Sequence, residues 1–165
     1  MTEPNAKDAW WLTGEAVEEK LGTGMLVALV GQHGGGKTTL ASAIINIACW
    51  RWMSCRLVTA TSLGMGLAQA RRDEGGGEEG YVEDMRDIDL LVIDEWQDRS
   101  GTEHEDKIVK ELINQRYGHQ KDTLIVSNLQ HEKFIRDIGP SVADRMNECG
   151  GIYLCDCPSR RVASK

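Results

Sequence analysis

Met25-Leu-Val-Ala-Leu-Val30 runs directly into Gly31-Gln-His-Gly-Gly-Gly-Lys-Thr38. A short apolar run, a glycine-rich turn and then Lys-Thr at the start of a helical pattern make the phosphate-binding loop, G-x-x-x-x-G-K-[ST]. A polyphosphate needs many donors and little steric bulk. Glycines let backbone N–H groups turn inward, and the next helix adds the positive end of its dipole. On this reading Gly31, Gln32, His33, Gly34, Gly35, Gly36, Lys37, Thr38 and Thr39 surround the phosphates of a nucleoside triphosphate. Lys37 reaches the β- and γ-phosphates, and the Thr38 hydroxyl holds Mg²⁺. The rival, a glycine-rich turn that happens to precede Lys-Thr, does not account for the strand before it and the helix after it.

About 55 residues downstream, Leu90-Leu-Val-Ile-Asp94-Glu95 delivers two acids at the end of a buried strand. Ligands of open α/β sheets bind at that end. Asp94 is placed to hold Mg²⁺ opposite Thr38, and Glu95 to orient and polarise an attacking water. Alone, the pair reads equally well as solvated acids; after a phosphate loop it does not. Thr123-Leu-Ile-Val-Ser127-Asn128 ends a further strand in a polar residue able to touch the γ-phosphate or the water. A helix N-cap or turn is the other role open to Asn128, and the two can coexist.

Strand and helix signals alternate along the chain. Strands are expected at Met25–Val30, Arg56–Ala60, Ile88–Ile93, Thr123–Ser127 and Ile152–Cys155. Helices are expected from Lys37 to about Met53, from a Thr61-Ser62 cap to about Arg72, over Glu103–Tyr117, and near His131–Ile138 and Pro140–Asn147. Asp73–Gly80, with four glycines, reads as a flexible loop. Short continuous apolar strands between helices indicate a parallel sheet covered on both faces.

The 165 residues suffice for one domain with a real core. The net charge of −7 is unusual for a broad nucleic-acid face, so any DNA contact must be local or depend on assembly. There is no apolar stretch of about 18 residues and no signal-peptide core, so no membrane role is expected. Five cysteines, an odd number mostly in apolar runs, suit free thiols in the cytoplasm. Cys155-Asp-Cys157 lacks a second pair at zinc spacing and reads better as strand-end thiols than as a metal site.

With these motifs in this order the chain resembles the AAA+ ATPase domain of the DnaC/IstB group, which includes bacterial and phage replicative-helicase loaders and transposition helper ATPases. The resemblance covers about residues 23–161. It is carried by Gly31–Thr38, Leu90–Glu95, Leu112-Ile-Asn-Gln-Arg-Tyr117, Leu124-Ile-Val-Ser-Asn-Leu129, Ile138-Gly-Pro-Ser-Val-Ala-Asp-Arg-Met146 and Cys157-Pro-Ser-Arg-Arg161. It implies that Asn128 is the sensor-1 residue. Arg145 is implied as an arginine finger acting in trans on a neighbour's nucleotide; by itself Arg145 reads as a surface ion pair with Asp144 or Asp137. Arg161, or Arg160 beside it, is implied as the sensor-2 arginine.

Family loaders carry an N-terminal domain that grips the helicase, whereas 24 residues precede the first strand here. In that stretch Trp10 and Trp11 suit either a partner anchor or packing over the sheet edge or the adenine. The family binds single-stranded DNA inside a spiral of subunits. The matching contacts here are Arg71, Arg72, Arg99, Thr102 and His104, although Arg71-Arg72 is also the solvated end of a helix.

The expectation is an α/β, three-layer αβα P-loop NTPase with a five-stranded parallel sheet in order 5-1-4-3-2 and no helical lid domain. Residues 1–22 form a short extension and 23–165 the AAA+ domain. The expected activity is ATP hydrolysis with Mg²⁺ in DNA replication, as a phage-type helicase loader. Its partners are a replicative helicase, further copies of itself through ATP, and weakly bound single-stranded DNA. A transposition helper and an ATP-dependent adaptor that hardly turns over are the alternatives. A small kinase is disfavoured, since no arginine-rich lid segment lies between the strands.

Overall fold

Apolar runs without alternation need cover on both faces, and the sheet is built to receive it. The structure, a computed structural model, describes residues 6–72 and 77–155. Strands β1 (Leu26–Val30), β2 (Cys55–Thr59), β3 (Leu90–Asp94), β4 (Asp122–Val126) and β5 (Gly151–Leu154) form one sheet in the order β2-β3-β4-β1-β5. All neighbours run parallel, with Thr59 level with Asp94, and Leu29 level with Val126 and Tyr153. This is the expected order, read from the other edge.

The helices are α1 (Ala6–Lys20), α2 (Lys37–Trp50), α3 (Ala60–Ala70), α4 (Gly77–Asp87), α5 (Glu103–Gly118), α6 (His131–Ile138) and α7 (Pro140–Cys149). One sheet face buries Val27, Leu29, Val92 and Leu124 against Val17 of α1 and Leu40 and Ile44 of α2. The other buries Ala28, Val30, Leu91, Ile93 and Ile125 against α3 to α7, through residues such as Leu63, Met85, Leu112, Phe134 and Met146.

Three local expectations change. The second strand ends at Thr59, and Thr59 rather than Thr61-Ser62 caps α3. Its hydroxyl accepts from Ser62 N at 3.1 Å while Ser62 Oγ accepts from Thr59 N at 3.0 Å, a reciprocal capping box. The expected loop Asp73–Gly80 is a helix from Gly77 onward. Glycine content disfavours helix there. However, Glu78 and Glu79 suit a helix N-terminus, and Met85 is buried in the core with Tyr81 and Val82 packed against it. Finally, α1 is a helix that no strong periodicity announced.

A buried arginine sets the ends of the strands. Arg116, 0% exposed, donates to the carbonyls of Met85, Arg86 and Ile88, to that of Asp122, and to Thr123 Oγ1 at 2.9 Å. Burial lowers its pKa to about 10, leaving it charged at neutral pH. It thereby joins α5, the end of α4 and the starts of β3 and β4. The Asp122 carboxylate completes the edge by accepting from Gly24 N at 2.8 Å and Met25 N at 2.9 Å, which fixes the entry to β1.

Candidate nucleotide site

The site lies at the C-terminal ends of β1, β3 and β4. The loop after β1 is anchored by Gly31 N donating to Leu129 O at 3.2 Å. Gly35 lies against the Cys155 carbonyl, so closely that a Cβ would collide with it. Gly36 has φ +78°, a conformation that strains any side chain, and caps α2. Lys37, 4% exposed, turns its ammonium back into the loop and donates to Gly31 O at 2.8 Å and Gln32 O at 2.6 Å. A buried ammonium needs such acceptors. It sits within the same loop whose N–H groups and helix terminus form an anion cradle.

Thr38 and Asp94 meet across the cleft, with Thr38 Oγ1 donating to Asp94 Oδ2 at 3.1 Å. Asp94 Oδ1 accepts from Glu95 N at 2.8 Å. Glu95 has φ 54°, left-handed for a non-glycine residue, and its side chain is exposed to the cleft. Such strain persists only where the surroundings over-determine it. A cleft of about 330 Å³ gathers His33, Gly34, Lys37, Thr38 and Thr39 of the loop with Asp94, Glu95 and Asn128. Gln32 is exposed on the loop and contributes its carbonyl to Lys37.

Gln97 went unnoticed in the sequence, and Trp10, read there as a partner anchor or as packing over the sheet edge or the adenine, is placed only by the structure. Gln97, in the 3-10 turn Trp96–Asp98, accepts from Asn128 N at 2.9 Å and from Ser127 Oγ at 3.4 Å. It couples the acidic strand end to the polar one. Trp10 of α1 lines the cleft and donates from Nε1 to Gly36 O at 3.3 Å. Gln97 has no pattern that could reveal it, and the choice among the readings of Trp10 depends, like the Gln97 contact, on where distant elements pack. Trp11, by contrast, is 63% exposed.

Arg145 lies on α7 and lines a different, open depression with Pro140 and Asp144. Its guanidinium donates to Asn114 Oδ1 and stands 5.2 Å from the Tyr117 ring. Among the described residues no carboxylate is within salt-bridge distance of it. The pairing with Asp144 or Asp137 is therefore not formed; Asp137 instead accepts from Arg99 and Trp96.

The five suggested DNA contacts separate. Arg99 is corrected outright. Its side chain is 6% exposed, bridges Asp106 at 2.9 Å and Asp137 at 2.7 Å, and lies over the Trp96 ring at 3.8 Å. It is a tether within the fold. Thr102 caps α5 by accepting from Glu105 N at 3.3 Å. His104 and Arg71 both bond to Glu78, at 3.0 and 2.9 Å, and these partners hold the Glu78 carboxyl below its usual range although its partial burial raises it. Arg72 is exposed. Arg160, Arg161 and Cys157 lie outside the described residues. Among the described residues no three His, Cys, Asp or Glu side chains are grouped to hold a metal by themselves. No described helix is long and apolar enough to cross a membrane.

The family model described as IstB-like ATP binding protein matches residues 21–144. The chain belongs to this IstB-like family. The IstB-like chain is 30% identical, over 82% of its length, to the replicative helicase loader DnaC of Escherichia coli K12. It spans 56% of that relative. The uncharacterized protein YdaV of the same organism is 28% identical over 85% of the chain, which again spans 56% of it. Among solved structures, the DnaC helicase loader matches with TM-score 0.77 at 20% identity, covering 94% of this chain and 93% of that one. AMPPCP-bound DnaA from Aquifex aeolicus matches with TM-score 0.74 at 20% identity, covering 96% and 49%. The IstB-like chain thus has the AAA+ P-loop fold.

Proposed function

We propose that this IstB-like chain hydrolyses ATP and acts in DNA replication as a helicase loader of the bacterial and phage kind, in the cytoplasm. The contact between Thr38 Oγ1 and Asp94 Oδ2 carries the reading, because it joins the two halves of a nucleotide site across the sheet. Their hard oxygens fit Mg²⁺, which takes one or two carboxylates together with substrate phosphates. When bound there, the ion would offset phosphate charge. The 30% identity to a replicative helicase loader supports the biological role.

In this reading Lys37 leaves the loop carbonyls for the β- and γ-phosphates. Glu95 orients a water and takes its proton as the water oxygen bonds to the γ-phosphorus. The bond from that phosphorus to the bridging oxygen then breaks, leaving ADP and phosphate. Asn128, held by Gln97, faces the same γ-phosphate. Arg145, presented by Asn114 and Tyr117 and bound to no acid among the described residues, serves the nucleotide of an adjoining copy, which makes assembly ATP-dependent. Arg161 remains the proposed sensor-2 residue. Single-stranded DNA binding through Arg71, Arg72 and His104 is weak and salt-sensitive.

One other reading stands beside it, the transposition helper that the resemblance to the DnaC/IstB group also implies. Capture with Glu95→Gln and ATP decides between them. A replicative helicase in the captured complex supports the loader, and a transposase supports the helper. Absence of nucleotide-dependent phosphate release by the unmodified protein would leave only the adaptor.

A further inference from the structure

We propose that Trp10 is the base platform of the nucleotide site, taking the planar purine base of ATP against its indole face. This rests on the phosphate-loop reading above. The phosphate end of the cleft is supplied by glycines, Lys37, Thr38 and Thr39, and its reactive end by Asp94, Glu95 and Asn128. None of these offers a large apolar surface. Among the described lining residues Trp10 alone does. A purine needs such a surface, since its faces are poorly satisfied by polar groups and stack well on aromatic rings.

The placement is built, not incidental. Val17, further along α1, and Leu21, just after it, are buried in the same core cluster as Leu40 and Ile44 of α2. The helix carrying Trp10 is thus fastened to the helix that begins at the phosphate loop. Gly14 lets the two approach, as a Cβ there would come within 3.1 Å of Leu40 Cδ1. The indole then reaches the loop itself. A Cβ on Gly36 would lie 2.9 Å from Trp10 Nε1, so Gly36 leaves room for the ring as well as for the turn. The Nε1 bond to Gly36 O fixes one edge of the indole on the loop and leaves the ring as the cleft's apolar wall.

The test compares ATP with inorganic tripolyphosphate by calorimetry, on the full chain. Tripolyphosphate engages the loop but has no base. Trp10→Ala is expected to weaken ATP binding about tenfold while leaving tripolyphosphate unchanged, the loss of one base stack. Trp10→Phe should recover most of that affinity, because a flat ring is retained. Circular dichroism of both variants confirms that α1 remains folded. If Trp10→Ala binds ATP as the unmodified protein does, while tripolyphosphate still binds, the platform is overturned and the phosphate loop stands. If both ligands weaken equally, Trp10 acts only by bracing Gly36, and the proposal is again overturned. If the unmodified protein binds neither ligand, the phosphate-loop reading falls and takes the platform with it.

Discussion

Arg145 and Asn114, thirty-one residues apart, are joined by a hydrogen bond from the guanidinium to the amide oxygen, with the Tyr117 ring beside it. An amide holds an arginine without neutralising it. The charge remains available for an outside phosphate, as a carboxylate partner would not allow. Asn114 and Tyr117 of α5 thus act with Arg145 of α7 as one constellation.

Arg145→Ala is predicted to bind ATP almost normally and to hydrolyse it poorly. Mixing it with Lys37→Ala creates some interfaces that join an intact Lys37 site to an intact Arg145. Those interfaces should recover turnover, as a trans arginine contributes up to about 10³–10⁵ in rate in related NTPases. Phosphate release is the readout, and native mass spectrometry verifies mixed oligomers. A mixture no more active than its parts would return Arg145 to a structural role.

Lys37→Ala is predicted to lose ATP affinity at least about tenfold, since a charged hydrogen-bond donor is removed from the phosphates. Glu95→Gln should keep ATP binding and lose most hydrolysis, the amide being unable to take the proton. Calorimetry and a phosphate assay separate the two effects. Full hydrolysis in Glu95→Gln together with none in Asp94→Asn would reverse the roles assigned to these acids.

Gln97→Ala should lower turnover about tenfold with ATP affinity nearly unchanged, because Asn128 N loses its acceptor and the strand end loosens. Gln97→Glu retains an acceptor oxygen and is expected to restore much of the rate. Equal losses in both variants would show that the amide acts through some other contact.

Trp52 follows α2 with φ 61° and is 95% exposed. The left-handed conformation disfavours a side chain, and burial offers nothing in return. Trp52→Gly should therefore stabilise the fold by about 0.5–1 kcal/mol, after allowing for the entropy of glycine in the unfolded chain. Urea denaturation provides the measurement, and a lower midpoint would indicate that the indole stabilises the native state.

Asp89 accepts from Lys121 Nζ at 2.7 Å and from Ser54 N at 2.9 Å, and these bonds lower its pKa to about 2. A carboxylate depressed on folding adds stability that is complete above its unfolded pKa of about 3.9 and is lost as pH falls through about 2. The side chain is 40% exposed, so solvent screening keeps the contribution below about 1 kcal/mol. The stability difference between the unmodified protein and Asp89→Asn should accordingly narrow from pH 6 to about pH 2.5. A difference that stays constant would place the effect in packing.

The sheet order came from the family resemblance; the sequence by itself determined the strands, the phosphate loop and the acidic strand end. Each is announced by local chemistry: a continuous apolar run, glycines before Lys-Thr, a carboxylate at a strand end. What only the tertiary structure decided involves residues whose partners are remote in the chain. Arg99 reads as a surface cation until Asp137 and the Trp96 ring enclose it. Residues 77–80 read as loop until packing of the following Tyr81, Val82 and Met85 offsets the weak helix propensity of the glycines. Trp10 and Gln97 acquire a place at the site only when α1 lies on α2 and the turn after β3 meets the end of β4. Periodicity and motif spacing report interactions within a few residues, whereas side-chain hydrogen bonds across dozens of residues exist only once the sheet has set the distances.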